Sequence, residues 1–190
     1  SHDRGKVIMA CGTGKTLVGL WASERLEARR NLVLVPSLTL IDQISKEWHS
    51  NADGSFQSLF VCSDKTVARR DEFVSHLGEL GVRVTIDPHE IKSFMDGDGR
   101  KVVFSTYQSS ERIVESQELG APEFDLIIAD EAHHCTGAVE SHFATAIDDN
   151  KLLGHKRLFM TATPRTIAKA VKDSAGAQDL EISSMDDQSQ

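Results

Sequence analysis

Val7-Ile8-Met9-Ala10-Cys11-Gly12-Thr13-Gly14-Lys15-Thr16 puts an apolar run, a glycine-rich turn and a Lys-Thr pair in immediate succession, and this order constrains the fold more than any other feature of the chain. Val7 to Ala10 reads as a buried strand. Gly12 and Gly14 let the backbone curl so that several N–H groups converge on one concavity, the geometry that holds phosphate oxygens. At this spacing the Lys15 ammonium reaches the β- and γ-phosphates of a nucleotide, and the Thr16 hydroxyl is placed to ligate Mg²⁺. The commonest form of this loop starts with a glycine four residues ahead of its Gly-Lys. Here that position is Met9, so the match is to a variant, and on its own it also fits a plain turn before a core helix.

The second signal is Phe124-Asp125-Leu126-Ile127-Ile128-Ala129-Asp130-Glu131-Ala132-His133, an apolar strand that runs straight into two adjacent acids. A buried strand ending in Asp carries its carboxylate to the carboxyl edge of a parallel sheet, where the glycine-rich turn also sits and where open α/β sheets bind ligands. Asp130 is expected to hold the metal through water. Glu131, one residue on, is expected to point elsewhere and to orient or deprotonate an attacking water. A simple strand-to-helix cap is the alternative reading of Asp130-Glu131, but it leaves the company of Gly-x-Gly-Lys-Thr unexplained.

Met9 to Thr16, Asp130-Glu131-Ala132-His133 and Thr161-Ala162-Thr163-Pro164 resemble motifs I, II and III of the superfamily 2 helicases and translocases, in the same order along the chain. Leu34-Val35-Pro36-Ser37-Leu38-Thr39-Leu40-Ile41-Asp42-Gln43 looks like motif Ia, and Phe104-Ser105-Thr106-Tyr107-Gln108-Ser109 like the nucleic-acid-contacting segment that follows it. The resemblance spans roughly residues 5–165. Its wording is most similar to the motor subunits of ATP-dependent restriction enzymes of the type I, type III and single-polypeptide kinds. It implies a RecA-like α/β domain in three layers, with ATP and Mg²⁺ as cofactors and Cys11, Gly12, Thr13, Gly14, Lys15 and Thr16 around the nucleotide. By the same resemblance Thr16 and Asp130 hold Mg²⁺, Lys15, Asp130 and Glu131 are catalytic, and His133, Thr161 and Thr163 couple the ATP site to its surroundings. Ser37, Thr39, Thr106, Gln108 and Ser109 are the candidate nucleic-acid contacts.

At 190 residues the chain can bury one sizeable core and is too short for two motor domains. Motors of this superfamily use two RecA-like domains, and nothing here resembles motifs IV to VI. Residues 3–172 are therefore expected to form the first RecA-like domain. Residues 173–190, rich in Ser, Asp and Gln without an apolar period, are expected to be mobile or loosely docked, a linker toward the second domain. Ser1-His2 reads as the leftover of an expression tag, ahead of a chain that starts just before its first strand without an adenine-reading segment.

Strand and helix patterns alternate, which predicts a parallel sheet covered on both faces. Lys15 to Arg29 reads as a helix with Leu17, Leu20 and Trp21 at helical spacing. Leu32 to Val35 reads as a strand, and Ser37 caps a helix carrying Leu38, Ile41, Ile44 and Trp48 on one side. Leu59–Cys62, Val82–Ile86, Val102–Thr106 and Arg157–Thr161 are further strands, and Asp71–Leu80 and Pro88–Met95 further helices.

The net charge of −8 argues against tight nucleic-acid binding by bulk electrostatics. It leaves room for a motor that tracks the backbone with a few hydroxyls and amides. Arg29-Arg30 and Arg69-Arg70 read as solvated helix ends. Three scattered cysteines suit a reducing cytoplasm, His133-His134-Cys135 lacks zinc-site spacing, and no apolar run is long enough to span a membrane. The expectation is an ATP-hydrolysing motor domain that moves on DNA, with duplex DNA and a second RecA-like domain of the same chain as partners and no membrane. A fragment with one such domain is expected to be inactive or very weak by itself. An RNA or repair helicase of the same superfamily, and a non-motor nucleotide switch, are the alternatives. A GTPase is disfavoured because no Asn/Thr-Lys-x-Asp follows a strand.

Overall fold

Strand β2 (Arg30–Val35) ends in the apolar run Leu32–Val35 and is buried beyond its first residue, and in the computed structural model it occupies the centre of a seven-stranded sheet. The structure describes residues 3–10, 12–62, 83–132, 137–138, 148–162 and 182–183. Across the sheet the order is β1 (Arg4–Ile8), β8 (Gly154–Thr161), β6 (Phe124–Ala129), β2, β5 (Lys101–Thr106), β3 (Gln57–Val61) and β4 (Arg83–Thr85), and every neighbouring pair is parallel. The central strands are buried on both faces, which is why they read as continuous apolar runs rather than alternating ones.

Two clusters form the core, one on each face. Leu32 and Leu34 of β2 join Ile91 and Met95 of α3 (Pro88–Asp96) and Ile113 of α4 (Ser110–Glu118). Val33 and Val35, one residue out of phase, join Leu20 of α1 (Lys15–Arg25) and Ile41, Ile44 and Trp48 of α2 (Leu38–Asn51). This is the period-2 alternation of a strand feeding two helical layers, as the RecA-like three-layer fold requires. Trp48 stacks edge-on against Phe104 with ring centroids 5.7 Å apart.

The helix ends follow local chemistry. Ser37 Oγ accepts from the Leu40 amide at 3.4 Å and caps α2. Asp87 accepts from the His89 amide at 2.9 Å, with Pro88 filling the first turn of α3. At the amino edge of the sheet, the buried Arg157 guanidinium donates to Asp149 and to the Leu152 carbonyl, and Arg4 reaches the same Asp149 at 2.8 Å.

Several elements differ from the sequence expectation. Strand β1 lies at Arg4–Ile8 rather than Val7–Ala10, because the Ala10 carbonyl accepts the Thr13 amide and hydroxyl and belongs to the turn. Helix α1 stops at Arg25, where the chain reverses through Glu27 at φ 51°, and Trp21 is 56% exposed. Its buried face is Lys15, Gly19, Leu20 and Ser23: a Cβ on Gly19 would stand 3.3 Å from Met160 Cε, so the missing side chain lets the helix settle onto β8. Strand β8 starts at Gly154, three residues before the expected Arg157.

Helix α4, which the sequence reading passed over, buries polar residues that bond to backbone. Ser116 Oγ donates to the Ile113 carbonyl, and Gln117 exchanges two bonds with the Leu153 backbone.

The helix expected at 71–80, together with Cys11, Arg69-Arg70, Val82, His133-His134-Cys135 and Thr163, lies outside the described residues, as does 173–190 except Ile182–Ser183. That pair (β9) bonds antiparallel to Gly137–Ala138 (β7). Among the described residues no helix is long and apolar enough to cross a membrane.

Candidate nucleotide site

All seven strands point the same way, so the chain leaves β1, β8, β6, β2 and β5 along one carboxyl edge in that lateral order. After β1 the turn curls through Gly12 at φ 77° and Gly14 at φ 87°, left-handed conformations that a side chain disfavours. Nothing described lies within 4 Å of where a Cβ would stand at either position, so the backbone conformation and not crowding is what favours glycine there. Gly14 precedes the first turn of α1, which has no side-chain cap and no acidic residue. With no side-chain cap and no acid there, the positive end of the helix dipole is left to an outside anion, which suits a phosphate.

Lys15, the first residue of α1, is 8% exposed. Its Nζ donates to Glu131 Oε1 at 2.7 Å and lies 3.5 Å from Asp130 Oδ1. Asp130 and Glu131 leave the end of β6, separated from β1 by strand β8, so the lysine reaches across one strand to meet them. The expectation that Glu131 faces away from Asp130 is not met: both carboxylates converge on one ammonium. Glu131 adopts φ 50°, and this left-handed step folds its side chain back.

Burial opposes charge on both partners. At Lys15 the hydrogen bond it donates to Glu131 and the fields of Asp130 and Glu131 outweigh that burial and raise the ammonium above its usual value. At Asp130 burial prevails over Lys15 and lifts the carboxyl above the ordinary carboxylate value. Thr16 and Asp130 offer the hard oxygen donors that Mg²⁺ favours, one on each side of β8.

The Thr16 carbonyl accepts the indole N–H of Trp48 at 3.2 Å, tying the phosphate-loop helix to α2. Thr161, fully buried at the end of β8, accepts the Met9 amide at 3.1 Å and so fixes the approach to the turn. On the other side, β2 and β5 pair with Val35 opposite Thr106, so Ser37 and Thr39 emerge beside Thr106, Gln108 and Ser109. Thr39 and Gln108 are exposed, whereas Ser37 caps α2 and Thr106 Oγ1 donates to Ser109 Oγ at 3.1 Å. The structure thus groups the two sets of candidates on adjoining stretches of one edge. Arg29 and Arg30 lie at the opposite edge, where their amides donate to Asp125.

One residue at the junction escaped the sequence reading. Tyr107, 1% exposed, donates its hydroxyl to the Asp130 carbonyl at 2.8 Å. Its only sequence signal is an aromatic directly after a strand end.

A parallel sheet with a glycine-rich turn after its edge strand, and an Asp-Glu pair two strands away, defines a P-loop domain of the RecA-like, superfamily 2 helicase class. The chain belongs to the family described as "Type III restriction enzyme, res subunit", which it matches over residues 1–166. It is 33% identical over 159 residues to a probable helicase of African swine fever virus, covering 83% of this chain and 16% of the viral protein. Among solved structures it resembles the type ISP restriction-modification enzyme LlaGI in complex with a DNA substrate mimic, with 35% identity and TM-score 0.74 over 100% of this chain and 17% of that one. LlaBIII, an ATP-dependent type ISP enzyme bound to DNA, gives 35% identity and TM-score 0.73 over 99% of this chain and 13% of that one. The helicase domain of Pyrococcus furiosus Hef shares the fold at 17% identity and TM-score 0.57, over 95% of this chain and 34% of its own. The chain spans about one sixth of the viral relative's length.

Proposed function

We propose that this chain is the ATP-binding half of a superfamily 2 motor that couples Mg·ATP hydrolysis to movement along duplex DNA, in a restriction or DNA-defence enzyme. The observation that carries the reading is the meeting of Lys15 with Glu131 and Asp130 across β8, beside a turn in which Gly12 and Gly14 are both left-handed and the following helix has no side-chain cap. The family and the two DNA-bound type ISP relatives favour DNA over RNA.

In this account the amides of Gly12 and Gly14, that of Thr13 once it leaves the Ala10 carbonyl, and Cys11 hold the phosphate chain. Lys15 exchanges its carboxylate partners for β- and γ-phosphate oxygens as the nucleotide enters. Thr16 and Asp130 would hold Mg²⁺, which would supply positive charge beside the phosphates. Once Lys15 has moved to phosphate, Glu131 is released to take a proton from the attacking water. Thr161 with its Met9 bond, together with His133 and Thr163, relays the state of the site. Ser37, Thr39, Thr106, Gln108 and Ser109 contact the nucleic-acid backbone. Residues 3–172 form this half of the motor, and 173–190 lead toward a second RecA-like domain that completes the site.

Displacement of a third strand from a triplex tests movement directly. The full-length protein is expected to strip a triplex-forming strand from duplex DNA only with ATP, and its Lys15→Ala variant to fail. ATP turnover without displacement at any triplex position would contradict a motor and favour a nucleotide switch.

A further inference from the structure

The bond from the Tyr107 hydroxyl to the Asp130 carbonyl crosses β2, joining the segment after β5 to the residue that ends β6. That carbonyl belongs to the peptide unit between Asp130 and Glu131. The N–H of the same unit, that of Glu131, donates to Asp130 Oδ1 at 3.0 Å. A peptide unit is rigid and planar, so the two bonds grip opposite ends of one plate. Rotation of this plate redirects the Asp130 carboxylate and changes the φ of Glu131, which stands at 50°. The Asp130 amide is held independently by the Leu34 carbonyl at 2.9 Å, so the preceding peptide is fixed to β2 while the following one is held through Tyr107.

Tyr107 is anchored within its own segment. Its carbonyl accepts Ser110 Oγ at 2.7 Å, and Thr106 Oγ1 donates to Ser109 Oγ on the flanking residues. Gln108, the next residue, is exposed. A ligand that engages Gln108 and Ser109 therefore pulls on a short, hydrogen-bonded turn whose buried member holds the Asp130–Glu131 plate.

We propose that Tyr107 is a positioning residue that couples a nucleic-acid backbone on the segment after β5 to the orientation of Asp130 and Glu131, within this single domain. This inference rests on the motor reading above and gives Tyr107, within the segment that resembles a nucleic-acid contact, a route to Asp130 that the motifs do not supply.

The test uses the full-length protein, a non-hydrolysable ATP analogue with Mg²⁺, and a short duplex. Nucleotide affinity is measured with and without saturating duplex, and duplex affinity with and without nucleotide. Linkage requires the two ratios to agree, and coupled sites commonly give about fivefold or more. The ratio is insensitive to a uniform loss of either affinity, so a variant that merely loosens the fold leaves it unmoved. Tyr107→Phe, which keeps the ring and removes the hydroxyl, is expected to bring the ratio below about twofold. Ser110→Ala, which removes the hydroxyl bond to the Tyr107 carbonyl and keeps the one from the Ser110 amide, should give an intermediate ratio and serves if Tyr107→Phe fails to fold. Ratios within twofold of the parent's in these variants, in a protein whose turnover DNA does stimulate, would overturn the role of Tyr107 and leave the motor reading standing. A parent protein with neither coupling nor DNA-stimulated turnover would overturn both.

Discussion

Lys15 Nζ lies 2.7 Å from Glu131 Oε1, so the two groups to which the proposal gives the phosphates and the attacking water are hydrogen-bonded to each other. In that proposal phosphate and carboxylate compete for one cation, and binding a nucleotide and freeing the base are a single exchange.

Replacing Glu131 by Gln removes the charge that competes for Lys15. Nucleotide affinity is expected to equal or exceed that of the parent, while turnover falls about 10²- to 10⁴-fold, the usual contribution of a general base. Equilibrium binding and steady-state hydrolysis on the full-length protein check both halves. Normal hydrolysis by Glu131→Gln would remove Glu131 from the mechanism.

Lys15→Ala should weaken nucleotide binding by about 10- to 100-fold, since each hydrogen bond to a charged group is worth about 1.5–3 kcal/mol. It also leaves the 3%-exposed Asp130 without its counter-ion, so a lower thermal midpoint should accompany the loss. An unchanged nucleotide affinity would show that the lysine does not meet phosphate.

The Arg4–Asp149–Arg157 group sets an acid dependence of stability. Burial alone would raise the Asp149 carboxyl, but hydrogen bonds from Arg4 and Arg157 hold it below its usual value. A depressed folded-state value contributes stability that is complete above the unfolded value of about 3.9 and is lost as pH falls through the lower folded value. Asp149→Asn should therefore lower the thermal midpoint at pH 7, with the difference from the parent closing toward pH 3 and below. Equal midpoints at pH 7 would refute the contribution.

Gly154 begins β8 where a Cβ would stand 2.6 Å from Ile127 Cδ1 and 3.3 Å from the Phe124 carbonyl. Gly154→Ala should cost about 1–3 kcal/mol, as overpacking of a filled core commonly does, read from denaturant unfolding. A neutral result would mean that Ile127 moves aside freely.

Most of the frame was legible because chemistry and period coincide locally. Pro88 after Asp87 marks the start of α3, and the Leu38, Ile41, Ile44, Trp48 spacing marks the buried face of α2. The apolar runs of β2 and β6 mark them as buried strands, whereas the lateral order of the sheet was not legible in the sequence. Trp21 was misassigned because Leu17, Leu20 and Trp21 satisfy a helical period as well as the true face does. What decides is Gly19, whose small size admits Met160, a contact no local pattern reports. Helix α4 was hidden because Ser110, Ser116 and Gln117 are buried by bonding to backbone rather than by being apolar. In the site itself, spacing pointed to Lys15, Thr16, Asp130 and Glu131, whereas the convergence of both acids on Lys15 depends on the left-handed backbone of Glu131. The Tyr107 bond joins residues 23 apart in sequence, and no motif spans them.

The most direct test of the account is ATP turnover by the full-length protein with and without duplex DNA, beside its Lys15→Ala variant and this 190-residue chain alone. The account predicts stimulation by duplex in the intact protein, none in Lys15→Ala, and little turnover of any kind by the chain alone. Robust turnover by the chain alone, indifferent to DNA, would mean that the site is complete within these residues and would contradict the claim that it is half of a DNA motor.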